Sequence, residues 1–415
     1  MKKKISIGTT VAVALLAALL SFQITFLAAM SIKEKAGSDA SEKFIYKAAD
    51  RLSMVDAAFR SQYLDADELD DDLLIDYMLK GYIAATGDRY AEYYTMEEYA
   101  DFMSDITGDS EGIGVSVISS AEMQAIEIVS VIPDSPAEAA GIKAGDLVVY
   151  LGEGDEKESV AELGYTAALS KLVGKAGTEA VFTVLRRDGD NSESIEFKVM
   201  RQKIDSVSVY SHVYSLDESI GVVLITGFDL KTPSQFKSAV QSLLDDGCDK
   251  FVMDVRSNPG GELSAVVDIL DFLLPEGPII RIFDKNGEMV EEHTSDSDFF
   301  DYPIAVITNS GTASAAELFT SALRDYERSV TVGNTTYGKG CMQTIMGLAD
   351  GSALKVTYRM FKPPFSESYH GIGIVPDVTV DLDPSLANTS ILKFTDENDN
   401  QLAAAVEALK DFAAE

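Results

Sequence analysis

Between residues 220 and 333 the chain alternates short, mainly apolar runs with amphipathic stretches, and this alternation limits the fold more than any other feature. The runs 220–225, 250–255, 304–308 and 329–333 have strand length, whereas 233–244, 262–274 and 313–325 repeat apolar residues at helical spacing. Strands apolar on both faces and joined by helical crossovers belong inside a mostly parallel sheet. An α/β core of strand-helix units over 204–385 is therefore expected. Further strands follow at 342–346 and 353–360. A C-terminal segment, 386–415, should carry a helix at 397–414 on the outside.

Upstream, over 107–203, the period changes to that of strands. Gly112-Ile113-Gly114-Val115 is a glycine turn opening into a strand, and 126–132 and 147–151 read as further strands. The turn Pro133-Asp134-Ser135-Pro136 leads into a short helix ending at Gly141. A helix over 159–172 precedes two last strands at 180–186 and 193–200. A glycine turn before an edge strand beside a helix can capture a peptide C-terminus, because free amides bind the carboxylate and the peptide adds as a strand. Gly112, Ile113, Gly114 and Val115 are the candidate peptide-binding residues.

Residues 31–106 read as a helical arm or cap. Phe44, Ala48, Leu52 and Val55 recur at helical spacing, as do Leu74, Met78 and Tyr82, while 87–95 reads as a loop. This arm and the C-terminal helix make a homodimer or a higher ring an expectation. At the start of the chain, Lys2-Lys3-Lys4 precedes residues 5–30, a run of 26 without a charged side chain. That length crosses about 30 Å of hydrocarbon, and the lysines hold the N-terminal end in the cytoplasm. Leu27-Ala28-Ala29 offers a cleavage site, but the run is long for a secretory signal. The expectation is an uncleaved transmembrane signal-anchor over 1–30 in the cell membrane, with everything after it outside the cytoplasm.

The 68 acidic against 34 basic residues give a net charge of -34, which argues against nucleic acid and anionic lipid surfaces as partners. The acidic run 65–72 lacks the central glycine and terminal glutamate of an EF-hand. Two cysteines, Cys248 and Cys341, make neither a disulfide framework nor a zinc site and are expected as free or buried thiols. Neither a metal nor an organic cofactor is expected.

Chemistry concentrates in 309–343. Ser314 stands in the small-residue run Thr312-Ala313-Ser314-Ala315-Ala316, and Lys339 stands between Gly338 and Gly340. A serine hydroxyl needs a base, and a lysine serves as one only when neutral. An unperturbed lysine is neutral in about one molecule in 2,500 at pH 7; burial penalises the charged form and raises that share. Two other readings compete. Residues 333–339 spell G-x-x-x-x-G-K, but Gly340 stands where a magnesium-binding Ser or Thr belongs and no helix follows. A Ser-His-Asp triad has only His212, His293 and His370 to draw on, and Ser314 is not in G-x-S-x-G.

Four motifs resemble the C-terminal processing (tail-specific) peptidases, which pair a serine with a lysine. They are Asp254-Val255-Arg256-Ser257-Asn258-Pro259-Gly260-Gly261, Thr312-Ala313-Ser314-Ala315-Ala316-Glu317, Thr336-Tyr337-Gly338-Lys339-Gly340-Cys341-Met342-Gln343 and Gly371-Ile372-Gly373-Ile374-Val375-Pro376-Asp377. Within 107–203, Gly112-Ile113-Gly114-Val115 and Ser135-Pro136-Ala137-Glu138 through Asp146 resemble a protease PDZ domain, and Gly87-Asp88-Arg89-Tyr90 resembles the family's loop before it. The resemblance implies Ser314 as nucleophile, Lys339 as general base and Gln343 as the residue orienting that lysine. An oxyanion needs aimed N–H donors, for which Ala315, Gly260 and Gly261 are the candidates.

Some positions depart from the family. Arg89 replaces a proline, Val173 an arginine, Thr312 and Ala316 serines, and Cys341 a small residue; 361–368 differs in a loop that should line a substrate passage. The expectation is a membrane-anchored serine endopeptidase whose PDZ domain takes up apolar C-terminal tails of proteins, with an adaptor or activating partner conceivable. The alternative is a silent PDZ scaffold that tethers or senses exported proteins.

Overall fold

The computed structural model describes residues 39–412 apart from 121–122, 155–156, 189–190 and 388. The anchor expected at 1–30 lies outside the described residues. Among them, no helix is long and apolar enough to cross a membrane. The chain divides into two compact units, one up to Met78 and one from Leu79 onward. The first contains the helix Asp39–Gln62 and the start of the helix Asp71–Ala84. Arg60 ties Asp56 (2.8 Å) and Asp71 within it.

The second unit is mixed α/β with several sheets. Its central sheet runs Val209–Val213, Ile220–Ile225, Lys250–Asp254, Ile304–Thr308, Ser329–Gly333, Val378–Thr379. Only the first pair is antiparallel. Side chains alternate across it with period two. Val223, Ile225, Phe251, Met253, Ile304 and Val306 face one core, where they pack with the helices Thr232–Asp245, Leu263–Leu273 and Ala315–Asp325. Ile220, Val222, Val252, Ala305, Ile307 and Val332 face a second core, closed by Leu402, Ala405, Val406 and Leu409. Those four come from the helix Asn400–Phe412. The helix expected on the outside is thus the cover of the sheet's second face, without which Ile220, Val222, Val252, Ala305, Ile307 and Val332 would face solvent.

A second, antiparallel sheet orders Glu92–Tyr94, Ala353–Lys362, Gly277–Phe283 and Met289–Ser295, with Cys341–Gly347 also on Ala353–Lys362. Here the structure departs from the expected loop at 87–95. Glu92–Tyr94 is a strand on the same sheet that follows Lys339, with Tyr93 and Tyr94 buried.

The strand-rich segment contains Val115–Ser120, Ala125–Val131, Leu147–Leu151, Glu179–Asp188 and Asn191–Met200, all antiparallel, with Val115–Ser120 at the edge. Its core gathers Ile126, Ile128, Val148, Phe182 and Val184. The helix expected at 159–172 is two, Val160–Leu163 and Tyr165–Leu172, separated by Gly164 at φ +77°. Asp109–Gly112 pairs with Gln202–Asp205 where this segment meets the central one, and Lys231 bridges Asp109 (2.6 Å) and Asp205 (2.5 Å) there.

Candidate active site

Ser314 precedes the first residue of the helix Ala315–Asp325, at φ +57° and ψ -115°. A non-glycine residue held there is strained, and such strain persists only where surrounding bonds over-determine it. The clamp is Glu317, one turn into the helix and without solvent exposure. Its Oε2 accepts from the backbone N–H of Ser314 (2.9 Å) and of Lys339 (2.7 Å). Its Oε1 accepts from Gly338 N–H (2.6 Å) and the Thr336 hydroxyl (2.6 Å). Among the described residues no cation pairs with this carboxylate. One buried side chain therefore fixes the serine turn against the lysine loop. Sequence reading assigned Glu317 no role, although the S-x-x-E spacing from Ser314 carries the signal of a helix N-terminal cap.

Lys339 and Ser314 line one cavity of about 690 Å³ together with Gly260, Gly261, Ala315 and Gln343. Burial holds the Lys339 ammonium below its ordinary pKa. No carboxylate among the described residues forms an ion pair with it. The nearby charges of Cys341 and Glu317 oppose that shift without reversing it, and the Tyr90 ring, 5.2 Å from Nζ, is placed to favour the cation.

The Gly-Gly turn approaches the serine closely. At Gly260 (φ +99°) a Cβ would lie 2.8 Å from the Ser314 Cβ and 2.9 Å from the Ala315 nitrogen, so only glycine fits. Gly260 N–H is engaged by Asn258 Oδ1 at 2.8 Å, whereas Gly261 N–H and Ala315 N–H have no acceptor among the described residues. Of the candidate oxyanion donors, Ala315 and Gly261 are thus free to donate, and Gly260 contributes its missing side chain. Asn258, fully buried, also holds Ile225 O (2.9 Å), and its own carbonyl accepts Ala313 N–H (2.9 Å), which locks this turn to the serine turn.

Arg256 anchors the same loop from behind. It is buried and donates to Asp254 (2.6 Å), to Asp399 (2.5 Å) and to Gln401 (3.0 Å), the last two at the C-terminal helix. Those carboxylates raise the guanidinium pKa against the cost of burial. Arg256→Met is expected to destabilise the chain by about 3–5 kcal/mol, because it leaves two buried carboxylates unpaired. A urea-unfolding midpoint unchanged from wild type would refute that account.

Gln343 and Lys339 share the cavity, but no hydrogen bond joins them; the Gln343 amide donates to Thr357 Oγ1 (3.3 Å) and Cys341 Sγ (3.4 Å). Both cysteines are free and buried, and burial raises the Cys341 thiol pKa. The histidines stand apart from the serine: His212 on Asp396 (2.8 Å), His293 on Glu291 (3.1 Å), and His370 accepting from Gly340 N–H (3.1 Å). Thr308 O and Thr336 O pack against Gly333 and Gly373, and the loop 334–340 carries no helix, so the G-x-x-x-x-G-K reading has no phosphate cradle.

Comparison with known proteins agrees with this architecture. Residues 219–380 match the family model described as peptidase family S41. The chain is 33% identical over 343 residues to a "Probable CtpA-like serine protease" of Staphylococcus aureus (strain COL), covering 80% of this chain and 66% of that protein. It is 32% identical over 312 residues to the protein of that name from Staphylococcus epidermidis, covering 74% and 61%. The chain thus spans about two thirds of the length of these curated relatives. Its fold is that of an S41 protease structure from Bacteroides fragilis, at TM-score 0.53 and 16% identity, covering 86% of this chain and 97% of that one. On these matches the chain belongs to peptidase family S41, beside the CtpA-like serine proteases.

Proposed function

We propose that the chain is a serine endopeptidase working through Ser314 and Lys339. Neutral Lys339 takes the Ser314 proton as Oγ attacks the substrate carbonyl. The oxyanion forms toward Ala315 N–H and Gly261 N–H. Collapse expels the amine, which takes the proton from Lys339, and leaves an acyl-enzyme. Lys339 then activates a water to release the acid product. The observation carrying this reading is the shared carboxylate of Glu317, which sets the backbones of Ser314 and Lys339 on one oxygen beside a half-buried ammonium that forms no ion pair among the described residues.

Residues 107–203 are, in this reading, a PDZ domain that captures apolar C-terminal tails. A groove between the edge strand Val115–Ser120 and the helix Tyr165–Leu172 is lined by Ile113, Val115, Val117, Leu169, Leu172 and Ile204. At its end the N–H groups of Ile113 and Gly114 have no acceptor among the described residues and suit a terminal carboxylate. The uncharged segment 5–30 behind its lysines would anchor the chain in the membrane, with the peptidase outside the cytoplasm.

The test is breakdown of an unfolded protein ending in apolar residues, followed by the full chain from pH 6 to 10. Only neutral Lys339 acts, so the rate should rise with pH to a plateau. Burial lowers the base's pKa, so the midpoint should fall below 10.5. Tail binding without cleavage would replace the peptidase with a scaffold. A rate that falls as pH rises would remove Lys339 as the base.

A further inference from the structure

Resting on the serine-lysine reading, we infer that Asp88 is a positioning residue for the catalytic base, acting through Thr357 and Gln343. The argument is one of hydrogen-bond direction. Asp88 Oδ1 and Oδ2 lie 3.0 Å from the Thr357 hydroxyl and the Thr357 N–H. Although burial opposes ionisation, the bonds from Thr357 and Tyr90 hold this carboxyl below its ordinary pKa, so it accepts only. The Thr357 hydroxyl proton therefore goes to Asp88. Its remaining lone pairs face the Gln343 amide, which they can meet only as acceptor, so the atom at 3.3 Å is Nε2. The second amide proton points at Cys341 Sγ, 3.4 Å away.

Both donors of Gln343 are thereby used, and Oε1 has no donor among the described residues. Gln343 lines the same cavity as Lys339, which has three N–H donors when charged and no ion-pair partner among the described residues. Oε1 is the acceptor left for that ammonium once it has taken the serine proton. Without Asp88 the Thr357 hydroxyl is free to turn and donate to the amide oxygen. The amide then flips and presents NH₂ to the lysine, donor against donor. The loop bearing Asp88 also carries Tyr90 over Lys339 Nζ at 5.2 Å, so one short segment fixes the base from two sides. It is itself pinned by Tyr90 N–H on Asp88 (3.0 Å) and by the adjoining strand Glu92–Tyr94.

Thr357→Val removes the hydroxyl at nearly constant volume, and Asp88→Asn lets the neighbour donate back. Each should lower kcat about ten- to a hundredfold with KM little changed, as expected for loss of alignment rather than of binding. Thr357→Ser keeps the hydroxyl and should restore near wild-type kcat. The discriminating measurement is a double-mutant cycle in the full chain with a peptide substrate. In a Gln343→Ala background, Thr357→Val should cost no further activity, whereas a structural role would add its loss in full. If Gln343→Ala is impaired while Thr357→Val matches wild type, the relay through Asp88 is overturned and the serine-lysine reading stands. If Gln343→Ala itself matches wild type, the role of Gln343 falls and the relay with it.

Discussion

Lys339→Arg should lose peptide hydrolysis by about 10⁴- to 10⁶-fold, the range seen when one member of a hydrolase's nucleophile-base unit is removed. Arginine keeps the positive charge and much of the length, but its guanidinium does not deprotonate. The substitution therefore separates a lysine that acts as base from one that merely supplies charge to an oxyanion. Ser314→Ala should fall as far, and the double variant Ser314→Ala/Lys339→Ala should fall no further, since on the proposed mechanism the two act on a single proton transfer. Both singles should still bind an apolar C-terminal peptide, because the groove beside Val115–Ser120 is distant in sequence and lined by other residues. The readout is initial rate against peptide binding in the same preparations. Substantial hydrolysis by Lys339→Arg would assign the proton transfer to another group, and the cavity offers Glu262, half-buried with its carboxyl pKa raised by burial, as the first to examine.

Much of this was legible from residue pattern, for a physical reason. Strands buried on both faces must be apolar throughout, so Ile220–Ile225 and Ile304–Thr308 announce themselves without any knowledge of their neighbours. The hairpin Gly277–Phe283 and Met289–Ser295 does not, because its outer strand is a solvated edge reading Met-Val-Glu-Glu-His-Thr-Ser. Three-residue Glu92–Tyr94 is too short to show a period and exists only through its pairing with Ala353–Lys362. For the C-terminal helix the spacing of Leu402, Val406 and Leu409 was visible, but periodicity does not say what a face packs on. The site divides in the same way. Ser314 and Lys339 lie among small residues that betray a close approach. The bond between Asp88 and Thr357 spans 269 positions of sequence, and nothing local in either residue points to the other. Gly260 shows a further limit: glycine marks a tight place, but only geometry distinguishes an amide that is free from one held by Asn258.

Glu317→Gln should damage stability and catalysis together, and more than its conservative shape suggests. The carboxylate accepts four hydrogen bonds, two on each oxygen, in a place closed to water. A glutamine keeps one of those oxygens and turns an NH₂ toward the other pair of donors. Whichever way the amide is placed, two buried donors lose their acceptor, at about 1–3 kcal/mol each. A loss of about 2–6 kcal/mol in the unfolding free energy is expected. If the amide nitrogen faces Ser314 and Lys339, those two backbones separate, and a shift of about 1 Å between nucleophile and base is enough for a hundredfold fall in kcat. If it faces Gly338 and Thr336, the loop carrying Lys339 loosens with a similar result. Thr336→Val gives the control: it removes one donor to the carboxylate and the acceptor of Ile374 N–H, but leaves Ser314 and Lys339 on the shared oxygen, so it should cost less in both measurements. Urea midpoints and kcat for the two variants decide the matter. A Glu317→Gln chain with wild-type kcat would mean that Ser314 and Lys339 hold their positions without the shared oxygen, and that the strained serine turn is fixed by the Asn258 carbonyl on Ala313 N–H instead.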